Sequence, residues 1–462
     1  MLQQLQKYIM GTKTTTEGFF MDIKKFTAIF IVFILSTSIL IAYSKYRERK
    51  AREEMELDLN TSVNLIESHL QSHKFNYTSA NWASHWEYLD QKVDENDSRV
   101  AINRAIVLTD KLRQLNVSKD EIEEVDRCLN ETYYFYNIGK FYDTLTQARV
   151  CAILASNYLG SHLVVANRTE FYDYVSEGIQ NVTIIKNEAE KEWKNRIKSG
   201  VEFTDYMVTG FKIEDNLVEA SFFINNSLTF LEQLKKEPDP ISPEDAENLT
   251  LIGGRITSNL EYARSFLEDA LMLMEHVNSG DFQPVELESE MKMLRKNLSE
   301  VDRPCNIPMS MTKVACDWKD YHKERGIIAL QKGYYSAANY HLLYAIAIAE
   351  RLDEFKTLEF EFNSSKSLTD KTNVILRLRE EAINSLKECP SDPITSLYLN
   401  DATGWYFKRA EHVLRDSIDP EVYYSVYRSH DYDSHIIYDY EMTKALAKKF
   451  CPYLDLMKNK NR

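Results

Sequence analysis

Residues 26–43 read FTAIFIVFILSTSILIAY, from Phe26 to Tyr43, eighteen residues without a charge. At 1.5 Å per residue a helix of this length covers ~27 Å, enough for a bilayer core. Its only non-aromatic polar members are Ser and Thr, whose hydroxyls can bond back to their own helix. A soluble core helix would show one polar face, and none is visible here. The run therefore predicts a membrane helix or signal anchor over 26–44, preceded by a short cytoplasmic tail, 1–25. Ala42-Tyr43-Ser44 has the small-x-small form of a cleavage site, but the basic residues behind it favour an uncleaved anchor. Met21-Asp-Ile-Lys-Lys25 also has the form of a short start region, so residues 1–20 read either as an extension or as a gene-start error. The best competing run, Ala337 to Ala349, is shorter and holds His341; it reads as a core helix.

Charge does not orient the anchor. Lys7, Lys13, Lys24 and Lys25 precede it, and Lys45, Arg47, Arg49, Lys50 and Arg52 follow it. Lys/Arg bias normally sets topology, and here it is nearly tied. Glycan acceptors orient it instead. Asn-x-Ser/Thr occurs at Asn60, Asn76, Asn96, Asn116, Asn130, Asn167, Asn181, Asn225, Asn248, Asn297 and Asn363. Chance would give about three or four such sites in this composition. The excess predicts a glycoprotein at the cell membrane with the bulk of its chain outside the cytoplasm. A balance of 56 basic against 71 acidic residues, net −15, excludes a general nucleic-acid binder.

Outward from the anchor the chain reads as helix. There is neither Gly nor Pro between Gly18 and Gly139, and the first Pro is Pro238. A stalk helix is expected over 45–75, with Leu57, Val63, Leu65 and Ile66 as its apolar positions. Within 101–115, Ile102, Ala105, Ile106, Leu108, Leu112 and Leu115 form one helical stripe. Period-two alternation appears only at Leu358-Glu-Phe-Glu-Phe362. Three breaks, at Lys235–Pro243, Arg303–Pro308 and Cys389–Pro393, punctuate the exterior. The expected units are a helical domain over 76–236, a linker over 237–245, a helical hairpin over 246–302, a linker over 303–316 and a C-terminal helical domain over 317–462. Ser242-Pro-Glu-Asp245 has the form of a helix start.

Two segments echo one another: Gly139-Lys-Phe-Tyr-Asp-Thr-Leu-Thr-Gln-Ala-Arg-Val-Cys151 and Gly333-Tyr-Tyr-Ser-Ala-Ala-Asn-Tyr-His-Leu-Leu-Tyr-Ala345. The second, with Gly326 before it, resembles a tetratricopeptide-type helical hairpin. In that resemblance Gly326 is the small site of the first helix and Gly333 opens the turn. Tyr335 and Ala338 seat the second helix, and Ala345 is its close-packing site. The likeness covers about 119–160 and 318–352, and Gly404-Trp-Tyr-Phe-Lys-Arg-Ala410 is a weaker third copy. His322 stands where the family has an aromatic residue, and the closing Pro is missing. The fold class expected is all-α, either tetratricopeptide-like hairpins or an irregular helical bundle.

The six cysteines are Cys128, Cys151, Cys305, Cys316, Cys389 and Cys451. None forms a Cys-x-x-Cys pair, which disfavours zinc and haem attachment. Six buried free thiols are one reading. The other is a disulfide between Cys128 and Cys151, which lie 11 and 12 residues either side of Gly139 and so level across one hairpin.

Candidate chemistry is sparse. His69 and His73 share a helical face but lack a third ligand and an intervening Glu, so a solvated surface is expected. His430-Asp-Tyr-Asp-Ser-His435 is denser; His430, Asp431, Asp433 and His435 are the candidate metal or catalytic set. There is no Gly-x-Ser-x-Gly, and Gly253-Gly254 is followed by Arg255, so neither a serine elbow nor a phosphate loop is present. The reading is a membrane-anchored, extracytoplasmic helical scaffold or protein-interaction module with a protein partner and no cofactor. The alternative is an anchored enzyme or metal protein using the 430–435 cluster.

Overall fold

The computed structural model describes residues 23–75, 93–115, 117–237, 243–305, 310–419 and 430–460, without the side chains of residues 23–42, 243–245, 393, 430–435, 459 and 460. Among the described residues the chain is all-helical and holds no strand. The long helix α1 (Ile23–Ser72) leads into α2 (Glu95–Arg113), α3 (Lys119–Asn137), α4 (Phe141–Ala166) and α5 (Arg168–Ser199). A π-helical turn, Tyr206–Gly210, runs straight into α6 (Phe211–Leu234). Then come α7 (Pro243–Met274), α8 (Glu288–Val301), α9 (Met311–Lys332), α10 (Tyr335–Ala349), α11 (Leu352–Ser364), α12 (Leu368–Lys387), α13 (Pro393–Asp416) and α14 (His430–Lys460).

The helix ends follow local chemistry. Asp94 and Ser118 form capping boxes with Asp97 and Glu121 at the starts of α2 and α3. Asn167, Ser310, Ser367 and Asp392 each accept a backbone N–H of the first turn they precede. Gly139 and Gly333 sit at φ +74° and +76°. The next amide after each bonds back five residues, Lys140 to Phe135 O and Tyr334 to Ala329 O. This is the left-handed glycine cap, and it folds α3 on α4 and α9 on α10 as hairpins. Gly404, the glycine of the third echo, lies instead in the interior of α13. The Leu358–Phe362 alternation is helical too: Leu358 and Phe362 are buried on one face of α11 while Phe360 is exposed.

α1 changes role along its length. From Tyr43 to Leu57 every residue is exposed; fifteen residues of helix make a stalk of ~22 Å. From Asp58 onward the helix belongs to the body, not to a stalk. Ile66 is fully buried, and Leu59, Val63, Leu65 and Leu70 pack on the main core. Asp58 caps another helix: its carboxylate accepts from Leu368 N at 2.7 Å, Thr369 N at 3.1 Å and Thr369 Oγ1 at 2.5 Å, at the start of α12. Burial opposes its charge, but these hydrogen bonds outweigh burial and hold its pKa below the ordinary value.

The main hydrophobic cluster draws on residues from Ile66 to Met457, so the Pro-rich breaks join helices that share one core. Three smaller clusters lie among α2–α7. Among the residues whose side chains are described one helix, α4, is long and apolar enough to cross a membrane, and half of its apolar window is buried in the fold. It packs against α2, α3 and α7 and carries Cys151, as a central core helix does. The sequence had singled out Ala337–Ala349 as the competing run; those residues are all buried and form most of α10.

All six cysteines are bonded: Cys128–Cys151, Cys305–Cys316 and Cys389–Cys451, with Cα atoms 5.6, 5.8 and 5.1 Å apart. The bridges tie α3 to α4, the segment before α9 to α9, and the end of α12 to α14. In the chain-entropy model they contribute about 3, 3 and 4 kcal/mol.

Candidate functional site

The polar centre of the molecule is the start of α6, Phe211-Lys-Ile-Glu-Asp-Asn-Leu-Val-Glu219. This helix packs against α7, α9, α10 and the π turn, and none of residues 211–219 is exposed, so the charged residues of that stretch are turned inward. Each must then find a partner, because an unpaired buried charge is costly.

Glu214 is fully buried and meets four donors. Its carboxylate accepts from Trp193 Nε1 at 3.2 Å, Tyr206 OH at 2.8 Å, Ser336 N at 2.8 Å and Ala337 N at 3.1 Å. Ser336 and Ala337 are the second and third residues of α10, whose own cap residue, Tyr334, supplies no side-chain bond. Glu214 therefore caps α10 from another helix and places a carboxyl group at its positive end. Burial pushes Glu214 up to about 8 against the pull of these donors.

Asp215 begins a chain of contacts. Its Oδ1 lies 2.8 Å from His341 Nε2, and His341 Nδ1 lies 2.8 Å from His322 Nδ1. His322 stacks on Tyr344 with ring centroids 3.6 Å apart. Burial pushes His322 well below the usual histidine range, helped by the neighbouring His341 and Arg325. On the other side Lys212 reaches Asp401 at 2.9 Å and Asp215 at 3.9 Å. One turn on, Glu219 binds Arg325 through two nitrogens, at 2.8 and 3.3 Å, and accepts from Tyr321 OH at 2.8 Å. The Arg325 guanidinium lies 3.7 Å over Phe222.

Asp401 connects this network to the surface. With Asn400, Gly404, Trp405, Lys408, Arg409 and His412 it lines a cleft of about 410 Å³ along α13. Trp405 is 58% exposed, and the Arg409 guanidinium stacks 3.8 Å over its ring while gripping Asp439 with two nitrogens. Burial pushes Asp439 up to about 7 despite Arg409. The cleft offers an aromatic platform with cationic and amide groups beside Asp401 and His412.

The residues singled out from sequence fall elsewhere. His430 opens α14, but the side chains of His430, Asp431, Asp433 and His435 lie outside the described residues. His69 and His73 stack with centroids 4.4 Å apart. His69 is half-buried rather than on a solvated stalk; burial, then Arg379, lowers its pKa. Among the described residues no group of three or more His, Cys, Asp or Glu is placed to hold a metal. Asn76 and Asn116 lie outside the described residues; the other nine glycan acceptors are all exposed. Of the fourteen other described asparagines only eight are exposed, so exposure follows the acceptor pattern and not asparagine alone.

Sequence reading missed Lys212, Glu214, Asp215 and Glu219. Their signal was a run of charges inside a strongly apolar segment with no polar face to take them. No known family, curated protein or solved structure matches this chain.

Proposed function

We propose that this chain is a single-pass, membrane-tethered helical body held outside the cytoplasm, which binds a protein partner or organises the envelope without catalytic turnover. The observation that carries the reading is α1. One unbroken helix begins at the apolar run, crosses an exposed stretch from Tyr43 to Leu57, and enters the core where Asp58 caps α12. Such a joint couples the body to its anchor without a flexible linker. Three disulfides and nine exposed acceptors support an oxidising, glycosylating compartment. The matching glycine turns at Gly139 and Gly333 support a tetratricopeptide-like reading of the hairpins α3–α4 and α9–α10, a packing that generates extended recognition surfaces.

The acceptors also favour one face for the partner. None lies after Asn363, so α12, α13 and α14 carry no glycan, and α13 bears the Trp405 cleft. Residue-specific photocrosslinking on intact cells tests this. A probe at Trp405 should capture a discrete partner that a probe at Asn297 does not. Alanine at His430, Asp431, Asp433 and His435 together should leave fold and crosslink intact. Loss of a bound metal or of a measurable activity in that quadruple variant, with the fold unchanged, would replace this reading by the enzymatic one.

A further inference from the structure

We propose that Asp215, His341 and His322 form an acid-sensitive clasp that holds α9 and α10 to α6 at neutral pH and opens when both imidazoles carry a proton. The two Nδ1 atoms stand 2.8 Å apart. A hydrogen bond needs one N–H and one lone pair, so one of these nitrogens must be bare. Asp215 accepts from His341 Nε2, which fixes the neutral arrangement: His341 offers its Nδ1 lone pair, and His322 donates its Nδ1 proton. One added proton is tolerated: the pair lies against the Asp215 carboxylate, and one of the two Nδ1 atoms can still stay bare by moving its proton to Nε2. A second proton is not tolerated, since it sets two N–H groups and two cations head to head at hydrogen-bond distance.

The surroundings do not relieve that repulsion. On its own helix His322 faces Trp318, Tyr321 and Arg325, with Lys319 and Lys323 beside it held by Asp302. Across from it on α10 stand Tyr340 and Tyr344. From α6 come Lys212, Asp215 and Glu219, of which Lys212 is also bound to Asp401 of α13 and Glu219 to Arg325. Tyr406 of α13 and Tyr438 of α14 face Tyr344. Glu359 of α11 binds α9 only at its first turn, through Met311 and Thr312, and Glu288 and Lys292 of α8 reach α10 at Tyr335. Among the described residues Asp215 is therefore the one anion in contact with the pair, and it already neutralises the first proton.

The sign follows from linkage. His322 is held neutral in the fold, below its ordinary value of 6.5, whereas in the unfolded chain it takes a proton below 6.5. Its contribution is fully present above about 6.5 and is lost as pH falls below that value. The element released is distinctive. All fourteen residues from Ser336 to Ala349 are buried, and His341 is the only ionisable group among them apart from Tyr340 and Tyr344. Opening the clasp thus frees an apolar helix.

Hydrogen–deuterium exchange on the full-length protein, corrected for the intrinsic pH dependence of exchange, tests it. Between pH 7.4 and 5.5 the amides of residues 311–349 should exchange at least tenfold faster, reversibly, while those of α2–α4 hold their protection. His322→Phe keeps an aromatic ring against Tyr344 and removes the second titrating group, so in that variant the acid response should vanish. If that variant does not fold, the wild-type profile decides alone. Unchanged protection of 311–349 down to pH 5, a loss shared equally by every helix, or a full response in His322→Phe would each overturn the clasp.

Discussion

Gly253→Val yields no folded protein, and Gly253→Ala loses about 2 kcal/mol or more, even though alanine is the better helix former. The reason is the crossing of α4 and α7. A Cβ on Gly253 would stand 2.6 Å from Gly160 O and 2.6 Å from Val164 Cγ1. A Cβ on Gly160 would stand 2.5 Å from Gly253 O and still closer to Thr257 Oγ1. The obstructing atoms include backbone carbonyls, which cannot rotate away, so the helix axes must part. Parting them also breaks the bonds that lock the crossing, Thr257 Oγ1 to Ser156 O at 2.6 Å and Ser161 Oγ to Thr250 O at 3.0 Å. Gly139→Ala is the control. Nothing lies within 4 Å of its Cβ, so it incurs only the left-handed backbone strain, about 1 kcal/mol. Thermal unfolding of the three variants checks the order; a Gly253→Val protein with wild-type stability would refute the close crossing.

Glu214→Ala is the second large effect, a loss of about 4 kcal/mol. It strips the partner from two side-chain donors and two amides at the start of α10, all buried, and water cannot replace it without a cavity open to solvent. Glu214→Gln keeps one acceptor but turns an NH2 toward donors, and falls between alanine and wild type. Denaturant unfolding measures both, and exchange should rise first at residues 335–339. A Glu214→Ala protein within 1 kcal/mol of wild type would show that the remote cap has no energetic role.

What sequence could show here is what local rules govern. The Gly- and Pro-free stretch announced long helices, the stripe from Ile102 to Leu112 faces the core, and Gly139 and Gly333 take the left-handed turns that glycine permits. What it could not show depends on pairing across the chain. Gly253-Gly254 had meaning only as a failed phosphate loop until Gly160 and Ser161, more than ninety residues earlier, were placed against it. Asp58 reads as one more charge on a stalk, and nothing nearby reveals that its partners are Leu368 and Thr369. The same holds for the candidate site. His322 and His341 were each visible, one at an aromatic position and one inside an apolar run, yet neither pointed to the other or to Asp215. The charges of α6 look like a solvated face until the helices around them are known to leave no such face.

In the proposed topology one rigid helix carries a disulfide-bonded body outside the membrane. Protease added to intact cells, followed by nonreducing peptide mapping of the released material, tests it most directly. The expected result is cleavage within the exposed stretch from Tyr43 to Leu57, a tail before residue 26 that stays protected, and a released body containing Cys128–Cys151, Cys305–Cys316 and Cys389–Cys451. A body that is fully protected in intact cells, digested only after lysis, and carries alkylatable thiols at these six positions would contradict it.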